Sequence, residues 1–95
     1  MYGRITTFRV KPGKVAEMEA RASEVAPQTA KIPGLLVSHT LWRENGEGAV
    51  VGLWESKAAC DAGAAKVTEI WGGLADLLDG APNVGSYENV IRLKG

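Results

Sequence analysis

Cysteine and histidine each occur once in this 95-residue chain, as Cys60 and His39. A lone cysteine closes no internal disulfide, and one Cys with one His cannot fill a structural zinc site. Metal ligation of that kind is excluded, and a free thiol fits a reducing, cytoplasmic setting. A surplus of either charge is also missing, since 11 Lys plus Arg stand against 11 Asp plus Glu. With no basic excess there is no electrostatic footprint for nucleic acid or anionic lipid. No apolar run approaches the roughly 20 residues that span a bilayer. The first residues, MYGRITTF, enter a strand pattern directly, without the charged and then apolar regions of a secretory signal. Gly-rich phosphate loops, a Ser/His/Asp series, internal repeats and low-complexity tracts are all absent.

What is present is a globular composition, 45% hydrophobic, in a length that suits one domain over residues 1–95. Tyr2 to Val10 is rich in β-branched and aromatic residues and reads as a strand. Pro12-Gly13 ends it. From Lys14 the period changes: Val15, Met18, Ala22, Val25 and Ala26 recur every three or four residues, as in an amphipathic helix. Pro27 is expected to kink or loosen the last turns, and Ile32-Pro33-Gly34 to stop the helix. Leu35 to Arg43 and Ala49 to Glu55 form a strand pair around Asn45-Gly46, a dipeptide that tolerates positive φ. Ser56 is placed to cap a second helix from Lys57, with Gly63 and Gly72-Gly73 dividing it into segments up to Asp79. Val84 to Leu93 supplies a last strand.

The order β-α-β-β-α-β is the split arrangement of a ferredoxin-like α+β domain. Right-handed crossovers place both helices on one face of a four-stranded antiparallel sheet. The second strand offers Leu35, Val37, His39 and Leu41 on one side and Leu36, Ser38, Thr40 and Trp42 on the other. The third is apolar on both sides as well. Two helices cover only one face, so a homodimer joined through the sheet faces is expected.

On three stretches, TFRVKPGK, IPGLLVSHTLW and GLWESKAA, the chain resembles the antibiotic biosynthesis monooxygenase family of dimeric α+β barrels. The likeness runs from about Tyr2 to Leu93. It implies face-to-face sheets in a homodimer and an apolar pocket between each subunit's sheet and helices. Members include oxygenases that oxidise polycyclic phenols or quinols without metal or flavin, and enzymes that degrade haem. The haem-degrading members use an Asn on the first strand and a Trp and a His on or after the second helix. Here Thr6 stands at the Asn and Gly63 at the Trp or His position, which disfavours that chemistry. The cofactor-free oxygenases use an Asn, a Trp and a Tyr, and Trp71 does not match their spacing. The resemblance thus implies a monooxygenase acting on an aromatic phenol or quinol, with no cofactor and no metal. The alternative is a non-catalytic small-molecule-binding or accessory dimer, and related folds also host isomerases and decarboxylating enzymes.

His39 is the one candidate catalytic residue. It is either a base that deprotonates a phenolic substrate or a structural imidazole on an apolar strand face. The lack of a paired carboxylate or nucleophile favours the second. Arg4, Thr6 and Phe8 share a face of the first strand, which by resemblance is the pocket side. Arg4 is either a solvated residue at the strand end, the reading that the residues favour, or placed to attract an anion or a phenolate, and Thr6 is placed to give one hydrogen bond. Trp54 and Trp71 are candidate aromatic walls, although packing alone explains both. These five are the candidate substrate-binding residues. Cys60, with only Asp61 as a charged neighbour, is not expected to be a nucleophile.

Overall fold

The computed structural model describes residues 1–95. Strand β1 (Tyr2–Arg9) is followed by helix α1 (Val15–Thr29), strands β2 (Leu35–Trp42) and β3 (Glu47–Trp54), and helix α2 (Lys57–Gly72). A 3₁₀ turn at Ala75–Leu77 then leads to strand β4 (Asn83–Tyr87). The sheet is antiparallel throughout, in the order β2-β3-β1-β4, with the helices on one face: a ferredoxin-like fold.

Local chemistry accounts for the boundaries. Gly13, with φ of 79°, turns the chain after β1, and Lys14 then opens α1. Pro27 sits inside the last turn of α1 and the helix runs on to Thr29, where looser turns were expected. At that position the missing N–H forfeits a single bond, and the Thr29 hydroxyl donates to the Val25 carbonyl at 3.0 Å. In the β2–β3 turn only Gly46 adopts positive φ, at 94°; Asn45 does not. Arg43 N–H donates to Glu47 O and Gly46 N–H to Arg43 O, the pattern of a turn closed by a glycine bulge. The Asn45 side chain accepts from Glu47 N–H at 3.1 Å and so holds the tip. Ser56 caps α2 by accepting from Ala59 N–H at 3.1 Å.

Two expectations need correction. Helix α2 is continuous through Gly63, because that glycine leaves the space which the Trp54 ring fills. Strand β4 ends at Tyr87 rather than near Leu93. Beyond it, Ile91 and Leu93 are 81% and 94% exposed, with nothing in the chain to pack upon.

The core is divided. One cluster joins Phe8, Val10, Met18, Leu74, Leu77 and Leu78; the other joins Tyr2, Ile32, Trp54 and Cys60. Between them the helices stand off the sheet, and the gap is a cavity.

Candidate functional site

Alternation along β1 sends Tyr2, Arg4, Thr6, Phe8 and Val10 toward the helices and Ile5, Thr7 and Arg9 away from them. Antiparallel pairing carries these faces across the sheet. Arg4 lies opposite Gly52 on β3, and Gly52 opposite Ser38 on β2. Thr6 lies opposite Val50, and Val50 opposite Thr40. These two rows are the floor of a cavity of about 470 Å³, within the range of small-molecule sites. Met18, Val25 and Thr29 of α1 and Val67, Ile70 and Trp71 of α2 form its walls. Fifteen of its 21 lining residues are hydrophobic, so most of any occupant must be apolar.

Apart from Thr29, whose hydroxyl is donated to the Val25 carbonyl, the hydroxyl-bearing and charged lining residues lie on the floor. Gly52 has no side chain to fill the space between Ser38 and Arg4. A Cβ there would stand 3.6 Å from the indole nitrogen of Trp54 and meet nothing closer. The Nε of Arg4 is buried and has no hydrogen-bond partner. None of the ion pairs of the chain includes Arg4, so no carboxylate answers its charge. Its charge is felt nearby: burial pushes the Cys60 thiol up from its ordinary value, and Arg4 partly offsets that rise. Thr6 is buried at 5% exposure on the same floor. No Asp, Glu, His, Lys, Tyr or Cys lines the cavity.

Arg4, Thr6, Trp54 and Trp71 are thus brought together, and two of the anticipated residues are not. Phe8 lies in the core beneath the cavity, where its ring covers Gly48 and packs against Trp71 at 5.8 Å and 57°. It supports the wall without reaching the space. His39 is on the opposite side of the sheet. It pairs with Val51, which pairs with Ile5, and all three face away from the helices. His39 is exposed there and cannot act as a base inside the cavity. Ser38, Thr40 and Gly52 are floor residues that the sequence does not single out. Their signal was alternation on β2 and β3 combined with a register that one strand alone does not reveal. No group of three or more His, Cys, Asp or Glu side chains that would hold a metal ion is formed. No helix is long and apolar enough to cross a membrane.

The fold recurs in solved structures. An antibiotic biosynthesis monooxygenase is 18% identical, with a TM-score of 0.79 over 96% of this chain and 100% of that one. A protein of unknown function from Nitrosomonas europaea is 18% identical, with a TM-score of 0.83 over 99% and 94% of the two chains. A point mutant of SnoaB, a cofactor-independent oxygenase from Streptomyces nogalater, is 17% identical, with a TM-score of 0.78 over 99% and 97%. At such identities these neighbours establish the fold alone. No curated protein sequence matches the chain. The family model for antibiotic biosynthesis monooxygenase matches residues 1–63, which carry β1 through the first half of α2 and with them Arg4, Thr6, Gly52 and Trp54. The chain belongs to the antibiotic biosynthesis monooxygenase family.

Proposed function

We propose that the chain is a cytoplasmic, cofactor-independent monooxygenase that takes an aromatic phenol or quinol into the cavity between sheet and helices. The observation that carries this reading is the cavity itself. It is mainly apolar and of a volume suited to a fused aromatic ring system, with Arg4, Thr6, Ser38 and Thr40 on its floor and the one wall hydroxyl, of Thr29, already donated to the Val25 carbonyl. SnoaB, of the same fold, is a cofactor-independent oxygenase. Oxidation of an anthrone illustrates the balance. The methylene carbon becomes a carbonyl with one oxygen atom of O₂, and the other atom leaves as water with both methylene hydrogens. The substrate supplies all four electrons. The protein's part is to exclude water, to hold the ring between Trp54 and Trp71, and to set its oxygen at the floor.

A homodimer belongs to the same proposal. Across the outer sheet face run the rows Val37–Leu53–Gly3–Tyr87, His39–Val51–Ile5–Gly85 and Leu41–Ala49–Thr7–Asn83. Val37, Leu41 and Tyr87 are 38%, 60% and 52% exposed, an apolar surface suited to a second copy. On this arrangement His39 belongs to the interface.

One observation favours a second reading, that of a non-catalytic binding dimer: apart from Arg4, no titratable side chain reaches the cavity. An oxygen electrode separates the two. With anthrone, uptake above the protein-free rate and one labelled oxygen atom per product under labelled O₂ are expected. No uptake with either anthrone or a naphthoquinol overturns the oxygenase reading and leaves the binding dimer.

A further inference from the structure

The donors and acceptors around the cavity are unbalanced. Arg4 brings a formal positive charge and donors only, and the Trp54 indole nitrogen, directed at the Gly52 floor, is also donor-only. Thr6, Thr29, Ser38 and Thr40 carry hydroxyls; Thr40 already donates its own to the Ala49 carbonyl at 3.3 Å and Thr29 to the Val25 carbonyl at 3.0 Å. No lining side chain carries a negative charge or is a dedicated acceptor.

A buried guanidinium nitrogen without a partner is costly, and folded proteins rarely leave one unexplained. Arg4 Nε is the one buried side-chain nitrogen or oxygen of this chain left so. Its neighbours in the sheet row, Gly52 and Ser86, offer no carboxylate, and no ion pair compensates it. Arg4 lines the cavity, so a ligand that brings an acceptor to its guanidinium would answer the charge that the chain leaves unpaired. The rest of the cavity wants a flat apolar body.

We propose that the cavity selects aromatic monoanions, with Arg4 as the residue that anchors the ligand's oxyanion, a carboxylate or a phenolate, on the Gly52 floor. This rests on the cavity being the substrate site and deepens that reading. With no base in the lining, the site favours a phenol in its ionised form through the fixed positive charge. A cation within about 4–6 Å of an acidic group lowers its pKa by about 1–3 units. The proton goes to solvent before or during entry.

The test is calorimetric titration of the intact protein with 2-naphthoate and with its neutral isostere 2-naphthamide. Wild type is expected to bind the anion at least tenfold more tightly than the amide. Arg4→Met, shown to be folded by its melting temperature, is expected to abolish that preference. Arg4→Lys, which keeps the charge on a less directed donor, is expected to retain part of it. Equal affinity of wild type for the two ligands, binding of neither, or a preference that survives Arg4→Met overturns the proposal. Neither measurement involves oxygen, so the anion preference stands or falls apart from turnover. Conversely, full oxygen uptake by Arg4→Met with a quinol keeps the oxygenase reading whatever the titrations give.

Discussion

Two glycines of helix α2 receive the same substitution and are expected to respond with opposite signs. Gly63 and Gly72 each lose backbone entropy in the helix, and Gly→Ala in a helix interior recovers about 1 kcal/mol. At Gly72, the last residue of α2, a Cβ meets nothing within 4 Å, so Gly72→Ala gains a part of that amount. At Gly63 the Cβ would stand 2.7 Å from Trp54 Cη2, 2.8 Å from Cζ3 and 3.2 Å from Ile32 Cγ2. Carbon atoms rest at about 3.5–4.0 Å, so the indole must retreat by close to 1 Å. The ring is rigid and only 3% exposed, and Ile32 closes the other side. Overpacking of this kind costs about 1–3 kcal/mol, and two atoms of an inflexible ring place this site in the upper part of that range. Less the helix gain, Gly63→Ala destabilises by about 1–2 kcal/mol. For a chain of this size that lowers Tm by roughly 4–16 °C, whereas Gly72→Ala raises it by a few degrees. Urea titration followed by circular dichroism measures both. A cycle with Trp54→Phe, which removes the clashing ring atoms, should abolish the Gly63→Ala penalty. If Gly63→Ala stabilises as Gly72→Ala does, or if its cost persists in the Trp54→Phe background, the fit of Trp54 against α2 is refuted.

The Arg21 hydrogen bond holds the Asp76 carboxyl below its ordinary value, so the pair stabilises the fold above the ordinary Asp range, near pH 4, and is lost as pH falls through the lowered value. Thermal melts of Asp76→Asn should lie below wild type at pH 7 and converge with it in strong acid; a constant offset contradicts the pairing. Burial pushes the Cys60 thiol up and leaves it 0% exposed, so a chromogenic disulfide reagent at pH 8 should react only as fast as the chain unfolds. Rapid labelling of the native protein would place Cys60 elsewhere. Val51→Glu puts a charge in the centre of the outer sheet face and should shift light scattering from dimer to monomer, while a native-like Val51→Ala remains dimeric. Leu77→Ala, at 1% exposure in the larger core cluster, should cost about 2–5 kcal/mol in urea titration, and a loss below 1 kcal/mol would contradict that packing.

Much of the fold was legible along the chain because its signals are local. The change from alternation to a three-and-four spacing at Lys14, the Ser56 cap and the Pro12-Gly13 and Asn45-Gly46 breaks each act over a few residues. They sufficed for the order of elements and for the apolar character of both sheet faces. Strand β4 is shorter than its residues suggest: Ile91 and Leu93 look like strand residues, yet the pairing with β1 ends at Tyr87 and no strand of this chain continues beside them.

Alternation within a strand sorts side chains into two sets but does not say which set of one strand joins which set of the next. Arg4 with Thr6, and His39 with Leu41, were each grouped correctly along their own strands. Only the pairing of both strands with β3 set them on opposite sides of the sheet, through Gly52 for Arg4 and Val51 for His39. The same holds for Gly63, read along the chain as a helix break. In the fold it is the place where α2 admits an indole from the end of the preceding strand. Periodicity and turn chemistry are written into neighbouring residues; register and the unanswered charge of Arg4 arise only when distant segments meet.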